Sequence, residues 1–282
     1  ASDVLRKAAK NELPIFDQAK ALLADLAAPA AAETAAESAH PLAAERRVPI
    51  LIHGGRGLPP IADHLHRLAE TYPDAQLIIA HGGIADMAAL AGHFAGHKGV
   101  FFDTSVWSPV DLLDFFHQVP PEQILYASDY PYGRQPQSLT IALRTAITAG
   151  LNEEQLRDML AGNANRVADG EEPLTPSTPR GRDEFRQSMA LARVHQYLSM
   201  ATPLLWTGQA DTIGVLGLAM NACHERNGYA EELDQIKELL VAAQELWREL
   251  PEIDEEGERV STRRSVFALV HLADIIAVTP GA

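Results

Sequence analysis

The sequence contains a single cysteine, Cys223, among its 282 residues. One thiol excludes a disulfide within the chain and is typical of a protein in a reducing compartment, so we predict a cytoplasmic protein. It also excludes zinc sites built from several cysteines. Any metal bound by this chain is therefore expected to have histidine and carboxylate ligands.

Basic residues and long apolar runs are also scarce. The chain has 23 Lys and Arg against 38 Asp and Glu, which gives a formal net charge of -15. Such an acidic chain is repelled by nucleic acids and by anionic membrane surfaces. No apolar run approaches the roughly 20 residues needed to cross a bilayer. We therefore predict neither a nucleic-acid partner nor a membrane partner.

Apolar runs alternate with segments of helical spacing between residues 48 and 170. The runs predict strands at Val48–Ile52, Gln76–Ala80, Val100–Asp103 and Ile124–Ala127. The other segments predict helices at about Pro60–Thr71, Ile84–His97, Pro109–Gln118 and Gln137–Ala149, and a short helix at Asn152–Leu160 that closes at Gly162 and Asn163. This alternation predicts an α/β fold with a parallel sheet, either a barrel or a doubly wound sheet.

The remaining parts of the chain have a different composition. Residues 1–47 combine a segment of helical spacing with an alanine-rich connector, and residues 171–182 contain three prolines, typical of a linker. Helical spacing then recurs at Asp183–Trp206, Asp211–Asn227, Glu231–Leu250 and Ser261–Val278, with the acidic run Glu252–Glu258 interpreted as a solvated loop. We predict four regions: 1–47, a half-barrel at 48–170, the linker at 171–182, and a helical domain at 183–282.

Three of the predicted strands lead into a polar side chain. His53 and His81 each precede two glycines, and Asp129 follows the fourth strand. The carboxyl ends of parallel strands lie at one edge of a sheet, so these side chains should converge. Imidazole and carboxylate are ligands for zinc, manganese and iron. The pattern predicts a divalent metal, with zinc first and manganese or iron as alternatives.

Four further residues are candidates for substrate binding. Arg56 follows His53 and has the donor geometry to bind a substrate carboxylate, or else it caps a glycine-rich loop. Thr104 and Trp107 follow the third strand and should line the same edge of the sheet. Arg134 lies in the loop after Asp129, where a position at the pocket rim and simple surface exposure are equally consistent with the sequence.

Taken together, several motifs resemble the amidohydrolase-related family that includes aminocarboxymuconate-semialdehyde decarboxylase. They are His53-Gly54-Gly55, Ile79-Ala80-His81-Gly82-Gly83, Phe101-Phe102-Asp103-Thr104-Ser105, Ile124-Leu125-Tyr126-Ala127-Ser128-Asp129-Tyr130-Pro131 and Gly162-Asn163-Ala164. The resemblance covers about Val48 to Val167 and implies strands five to eight of a (β/α)8 TIM barrel. It implies that His53 binds the metal, that His81 positions or deprotonates a metal-bound water, and that Asp129 is both a ligand and a catalytic residue.

The activity implied is that of a metal-dependent hydrolase or non-oxidative decarboxylase acting on a small organic acid, amide or lactone. The chain departs from the family pattern because no His-x-His motif precedes Val48, where His40 is the only histidine. A half-barrel also leaves open sheet edges. The chain begins without methionine, so we expect one of three situations: upstream sequence is missing, a partner or second copy completes the barrel, or the protein is a catalytically incomplete relative that acts as a scaffold or binding protein.

Overall fold

The computed structural model describes residues 43–45, 48–55, 59–106, 108–181, 187–224 and 228–282. The predicted N-terminal helical segment and two candidate site residues, Arg56 and Trp107, lie outside this described part. The described part contains the strands β1 (Ile50–Ile52), β2 (Leu77–Ile79), β3 (Val100–Asp103) and β4 (Ile124–Leu125).

The four strands form one parallel sheet in the order β1-β2-β3-β4. Leu77 pairs with Ile50 on one side and with Val100 on the other, and Phe102 pairs with Ile124. Neighbouring parallel strands that follow one another in sequence, with helices between them, make up part of a β/α barrel. The prediction of a partial TIM barrel followed by helices is confirmed, and all four carboxyl ends lie at one edge.

The helices of this α/β part follow the strands closely. They are α1 (Ala62–Thr71), α2 (Met87–Phe94), α3 (Pro109–Gln118), α4 (Gln135–Thr148), α5 (Glu153–Arg157) and α6 (Asn163–Asp169). Helix α3 has the predicted boundaries because its start is encoded locally. The Ser108 hydroxyl accepts a hydrogen bond from the Asp111 N–H at 3.3 Å, and Pro109 occupies the first turn.

The predicted helix end at Gly162 and Asn163 is wrong. A π-helical turn at Asp158–Gly162 joins α5 to α6, which ends at Gly170 with a left-handed φ of 67°. Asn163 is buried, and its amide donates to the carbonyls of Pro121 and Ile124 at 3.1 and 3.0 Å. Gly162 serves close packing, because a Cβ there would lie 2.4 Å from the Asp158 carboxylate.

In its described residues, the C-terminal part has four long helices. They are α7 (Met189–Thr207), α8 (Thr212–Ala222), α9 (Ala230–Glu249) and α10 (Glu256–Val278). The interpretation of Glu252–Glu258 as a loop is wrong at its C-terminal end, because α10 begins at Glu256 and carries Glu256 and Glu258 in its first turn. Negative charge there is favoured by the helix dipole.

Across the described residues, no helix has the length and apolar character needed to span a membrane.

Helix α10 joins two hydrophobic cores. Its Ile275 and Val278 pack in the core formed by the sheet and its helices, whereas Val270 and Ala277 pack in the core formed by α7 to α10. Just beyond the helix, Arg144 donates to the Thr279 carbonyl at 2.9 Å and to its hydroxyl at 3.1 Å. One continuous helix therefore holds the helical part against the α/β part.

Candidate functional site

The carboxyl edge of the sheet faces a cavity of about 910 Å³ that lies between the two parts of the chain. The sheet side contributes, among others, His53, His81, Ser105, Asp111 and Asp129. The helical side contributes, among others, His195, Trp206, Phe267, His271 and Asp274. The three strand-end residues predicted from sequence thus share one cavity, and helices from the C-terminal part form its opposite wall.

Glycines bring the ends of β1 and β2 close together. A Cβ on Gly54 would lie 2.6 Å from the Ala80 carbonyl oxygen, and one on Gly55 would lie 2.7 Å from Nε2 of His53 and 2.9 Å from Cδ2 of His81. The two imidazole rings accordingly lie 4.8 Å apart, centroid to centroid, at an interplanar angle of 78°. Any side chain larger than hydrogen at Gly55 would occupy the space of both rings.

His81 is held by its backbone and by one ring nitrogen. It has a left-handed φ of 59°, uncommon for a residue other than glycine, and its N–H donates to Oδ1 of Asp103 at 2.8 Å. Nδ1 lies 3.1 Å from the Ser105 carbonyl oxygen, which only accepts, so Nδ1 carries the proton. Within the described part of the chain Nε2 has no hydrogen-bond partner, which leaves its lone pair available as a base.

The Ser105 hydroxyl links the His81 ring to a carboxylate. It lies 2.9 Å from Nδ1 of His81 and donates to Oδ1 of Asp103 at 2.6 Å. Asp103 and Ser105 are both buried, and the Ser105 N–H donates to the same oxygen at 3.0 Å. The chain His81–Ser105–Asp103 fixes the imidazole orientation and would stabilise a positive charge on it.

His53 lies beside His81 with much of its surface exposed. Desolvation of the covered part of the ring, and next the neighbouring His81, lower the pKa of His53, whereas Asp129 and Asp103 act in the opposite direction. A lowered pKa keeps the imidazole neutral at neutral pH, the form that binds metals. No hydrogen bond to this ring is made by other residues in the described ranges.

Asp129 lies in a tight turn after β4. It has a left-handed φ of 58°, and its carbonyl accepts the N–H groups of Tyr132 and Gly133 at 2.8 and 3.0 Å. Its carboxylate, for which the described residues provide no hydrogen-bond donor, lines the cavity and acts electrostatically on His53. An imidazole and a carboxylate that no other described residue hydrogen-bonds thus face the same space.

These two side chains fit a divalent metal in chemistry but not in number. Residues 43–282, taken without their undescribed gaps, contain no group of three or more His, Cys, Asp and Glu that could hold a metal. Catalytic zinc sites typically use about three protein ligands. His53 and Asp129 would therefore hold a metal only together with ligands from outside the described residues or from another chain.

The remaining candidates do not join this group. The Thr104 hydroxyl donates to the Ala127 carbonyl at 3.3 Å and accepts the Ala127 N–H at 3.1 Å, so it connects the ends of β3 and β4. Thr104 is buried and lines a small cavity of about 30 Å³, which adjoins the large one and shares five lining residues with it: Ser105, Val106, Tyr132, Phe267 and His271. Arg134 lies at the N-terminal boundary of α4 and is not among the residues that line the large cavity.

The helical wall contains a histidine–aspartate pair that the sequence did not reveal. Nδ1 of His195 lies 2.7 Å from Oδ1 of Asp274, which is buried. The hydrogen bond to Asp274 raises the pKa of His195, burial acts against it, and the charges of Asp274 and Asp111 add to the increase. The two residues are 79 positions apart on helices, and the only local signal is an aspartate within the apolar segment Leu272–Val278.

This pair makes stability depend on pH. Because folding raises the pKa of His195 above 6.5, its stabilisation is fully present below pH 6.5 and is lost as pH rises through the folded-state pKa. We expect Asp274→Asn to lower the free energy of unfolding by about 1 to 2 kcal/mol at pH 6 and by less at pH 9. Urea unfolding at both pH values measures this. An equal loss at the two pH values would contradict it.

Sequence comparison agrees with the geometry of the sheet edge. A sequence profile described as amidohydrolase matches residues 18–168, more than half of the chain, and this match includes all four strands and the residues His53, His81 and Asp129. Among curated proteins the comparison finds none that matches. Members of this family have a TIM-barrel fold, generally bind a divalent metal, and are usually hydrolases or lyases. The chain belongs to the amidohydrolase family.

Proposed function

We propose that the protein is a metal-dependent hydrolase or non-oxidative decarboxylase that acts on a small organic acid, amide or lactone in this cavity. The convergence of His53, His81 and Asp129 at the carboxyl edge of a parallel sheet supports this function most directly. The volume of about 910 Å³ is of the size that holds small molecules. Within the family, the motifs that follow β2, β3 and β4 favour an activity similar to that of aminocarboxymuconate-semialdehyde decarboxylase.

In the proposed mechanism each of these residues has a different role. A divalent metal held in part by His53 and Asp129, zinc or else manganese or iron, would acidify water and polarise an oxygen of the substrate. His81 would accept a proton at Nε2 while Nδ1 keeps its hydrogen bond to Ser105. The Asp103 carboxylate, linked through the Ser105 hydroxyl, would stabilise the imidazolium so formed.

Metal content of the purified protein tests the ligand assignment. We expect near-stoichiometric zinc, manganese or iron after dialysis, and a loss of at least tenfold in metal affinity for His53→Ala and for Asp129→Ala. His117→Ala is the matched control because His117 lies late in α3 and does not line the cavity. Elemental analysis together with metal titration of the apoprotein measures both quantities. Equal metal content in all four proteins would contradict the assignment.

A second candidate function is that of a scaffold or binding protein without catalysis. The observation that favours it is the absence, among the described residues, of a three-ligand metal cluster. This alternative predicts negligible metal in the wild type and in His53→Ala alike, with small molecules bound but not converted. The same metal titration therefore separates the two functions. Size-exclusion chromatography with light scattering would show whether the protein self-associates, as completion of the barrel by a second copy requires.

A further inference from the structure

Two imidazoles that line the cavity from different parts of the chain are each held through Nδ1. His81 on the sheet side uses Nδ1 to bond Ser105, and His195 on α7 uses Nδ1 to bond Asp274 at 2.7 Å. Both residues line the cavity of about 910 Å³. In each ring the remaining nitrogen, Nε2, has no hydrogen-bond partner in the described part of the chain. The cavity therefore has two oriented imidazole nitrogens with which to contact a bound molecule.

The two imidazoles have different electrostatic surroundings. Asp274 on α10 and Asp111 in the first turn of α3 both raise the pKa of His195, Asp274 through its hydrogen bond foremost, while burial opposes them. His271 on α10 also lines this wall, and His53, His81 and Asp129 face it from the sheet side. Two carboxylates favour the protonated ring, in which Nε2–H is a proton donor.

We propose that His195 is the general acid of the site and that Asp274 is its positioning residue. The proposal rests on the proposed hydrolase function and applies to its hydrolytic branch. When the C–N or C–O bond to the leaving group breaks, the bonding electron pair goes to the leaving nitrogen or oxygen, which takes the proton from Nε2 of His195. The bond that forms is the one between the oxygen of water and the carbonyl carbon, and His81 takes the proton of that water. After the product leaves, the neutral His195 regains a proton from solvent and His81 releases its proton to solvent. His81, as base, and His195, as acid, thus have complementary roles.

A helical location for the acid follows from the fold. The sheet edge already carries His53, His81 and Asp129, and Nδ1 of His81 is bonded to Ser105, whose hydroxyl donates to Asp103. The opposite wall is formed by α7 and α10, and α10 is continuous with both hydrophobic cores. Because α10 packs in both cores, it holds the helical side of the cavity against the sheet side, and acid–base catalysis on a bound substrate requires such positioning.

The first experiment compares leaving groups that differ in their need for a proton. Hydrolysis of 4-nitroacetanilide and 4-methoxyacetanilide, and of 4-nitrophenyl acetate and 4-methoxyphenyl acetate, is measured for the metal-loaded wild type, His195→Gln and the control His117→Gln. We expect His195→Gln to lower kcat about 10²-fold or more for the two anilides, whose leaving nitrogen must be protonated. The loss should be smaller for 4-methoxyphenyl acetate and smallest for 4-nitrophenyl acetate, whose nitrophenolate departs without protonation. His117→Gln should match the wild type.

The second experiment measures protonation in the resting protein. Nitrogen-15 NMR of histidine-labelled protein should show His195 protonated on both nitrogens at pH 6, with its titration moved to lower pH in Asp274→Asn. The fall of kcat at high pH should move to lower pH in the same variant, a change that a purely structural role of Asp274 would not produce. Asp169→Asn, on the exposed end of α6, serves as the matched control.

The outcomes separate this proposal from the function on which it rests. Activity that depends on His53 but is equal in His195→Gln and wild type for every substrate would overturn the general acid alone. A neutral His195 at pH 6 would overturn it as well, without any need for turnover. Absence of His53-dependent hydrolysis for all four substrates would overturn both this proposal and the hydrolytic function.

Discussion

Replacing His81 by asparagine is expected to lower kcat about 10²- to 10⁴-fold. The variant would lack the basic Nε2 of the imidazole. No other described side chain is oriented by bonds to Ser105 and Asp103 as His81 is, so none could replace it as the base. Asparagine is the suitable replacement because it tolerates the left-handed backbone at φ 59° better than alanine does. The measurement is steady-state kinetics with any substrate that the wild type converts.

Two controls separate loss of the base from loss of the site. Metal content and thermal stability of His81→Asn should stay close to those of the wild type, because His53 and Asp129 keep their places. Ser105→Ala should have an intermediate effect, since it removes the hydroxyl between His81 and Asp103 but leaves the Ser105 carbonyl bonded to Nδ1. An activity of His81→Asn within threefold of wild type would show that His81 is not the base.

The parts of the fold that could be predicted are those with local signals. The apolar runs predicted all four strands within a few residues, and the helix predicted at Pro109–Gln118 has those bounds as α3. The convergence of His53, His81 and Asp129 also followed from sequence, because the carboxyl ends of parallel strands have no other place to meet than one edge of the sheet. Local sequence patterns were sufficient to predict these features.

Features that depend on tertiary contacts could not be predicted. Gly162 has the appearance of a helix terminator, yet the helix continues because Asn163 bonds backbone carbonyls of Pro121 and Ile124, about 40 positions away. The contact of Thr104 with substrate stays a prediction, but the bonds of its hydroxyl to Ala127, which join two strand ends, could not be foreseen from sequence. Aspartate within an apolar helix segment indicates a buried partner, but the partner of Asp274 could not be named from spacing.

Phe102→Ala is expected to lower the free energy of unfolding by about 3 to 5 kcal/mol. The ring is fully buried in β3, and its centroid lies 6.2 Å from that of Phe115 in an edge-to-face contact. Alanine would leave a cavity beneath the sheet edge, next to Asp103, whose carboxylate holds the backbone of His81. Phe102→Leu, which keeps most of the apolar volume, should cost less. Urea unfolding followed by circular dichroism measures both.

The same variant tests whether the two cores unfold together. Ile275 lies in the core of Phe102, and Val270 of the same helix lies in the core of α7 to α10, so destabilising one core should lower the stability of the other. With Trp107 replaced by phenylalanine, fluorescence reports on Trp206 and Trp247 in the helical part. We expect their transition to shift with Phe102→Ala by the same urea concentration as the circular dichroism. An unshifted fluorescence transition would mean that α10 does not couple the cores, and the cavity wall bearing His195 would then be free to move relative to the sheet edge bearing His81.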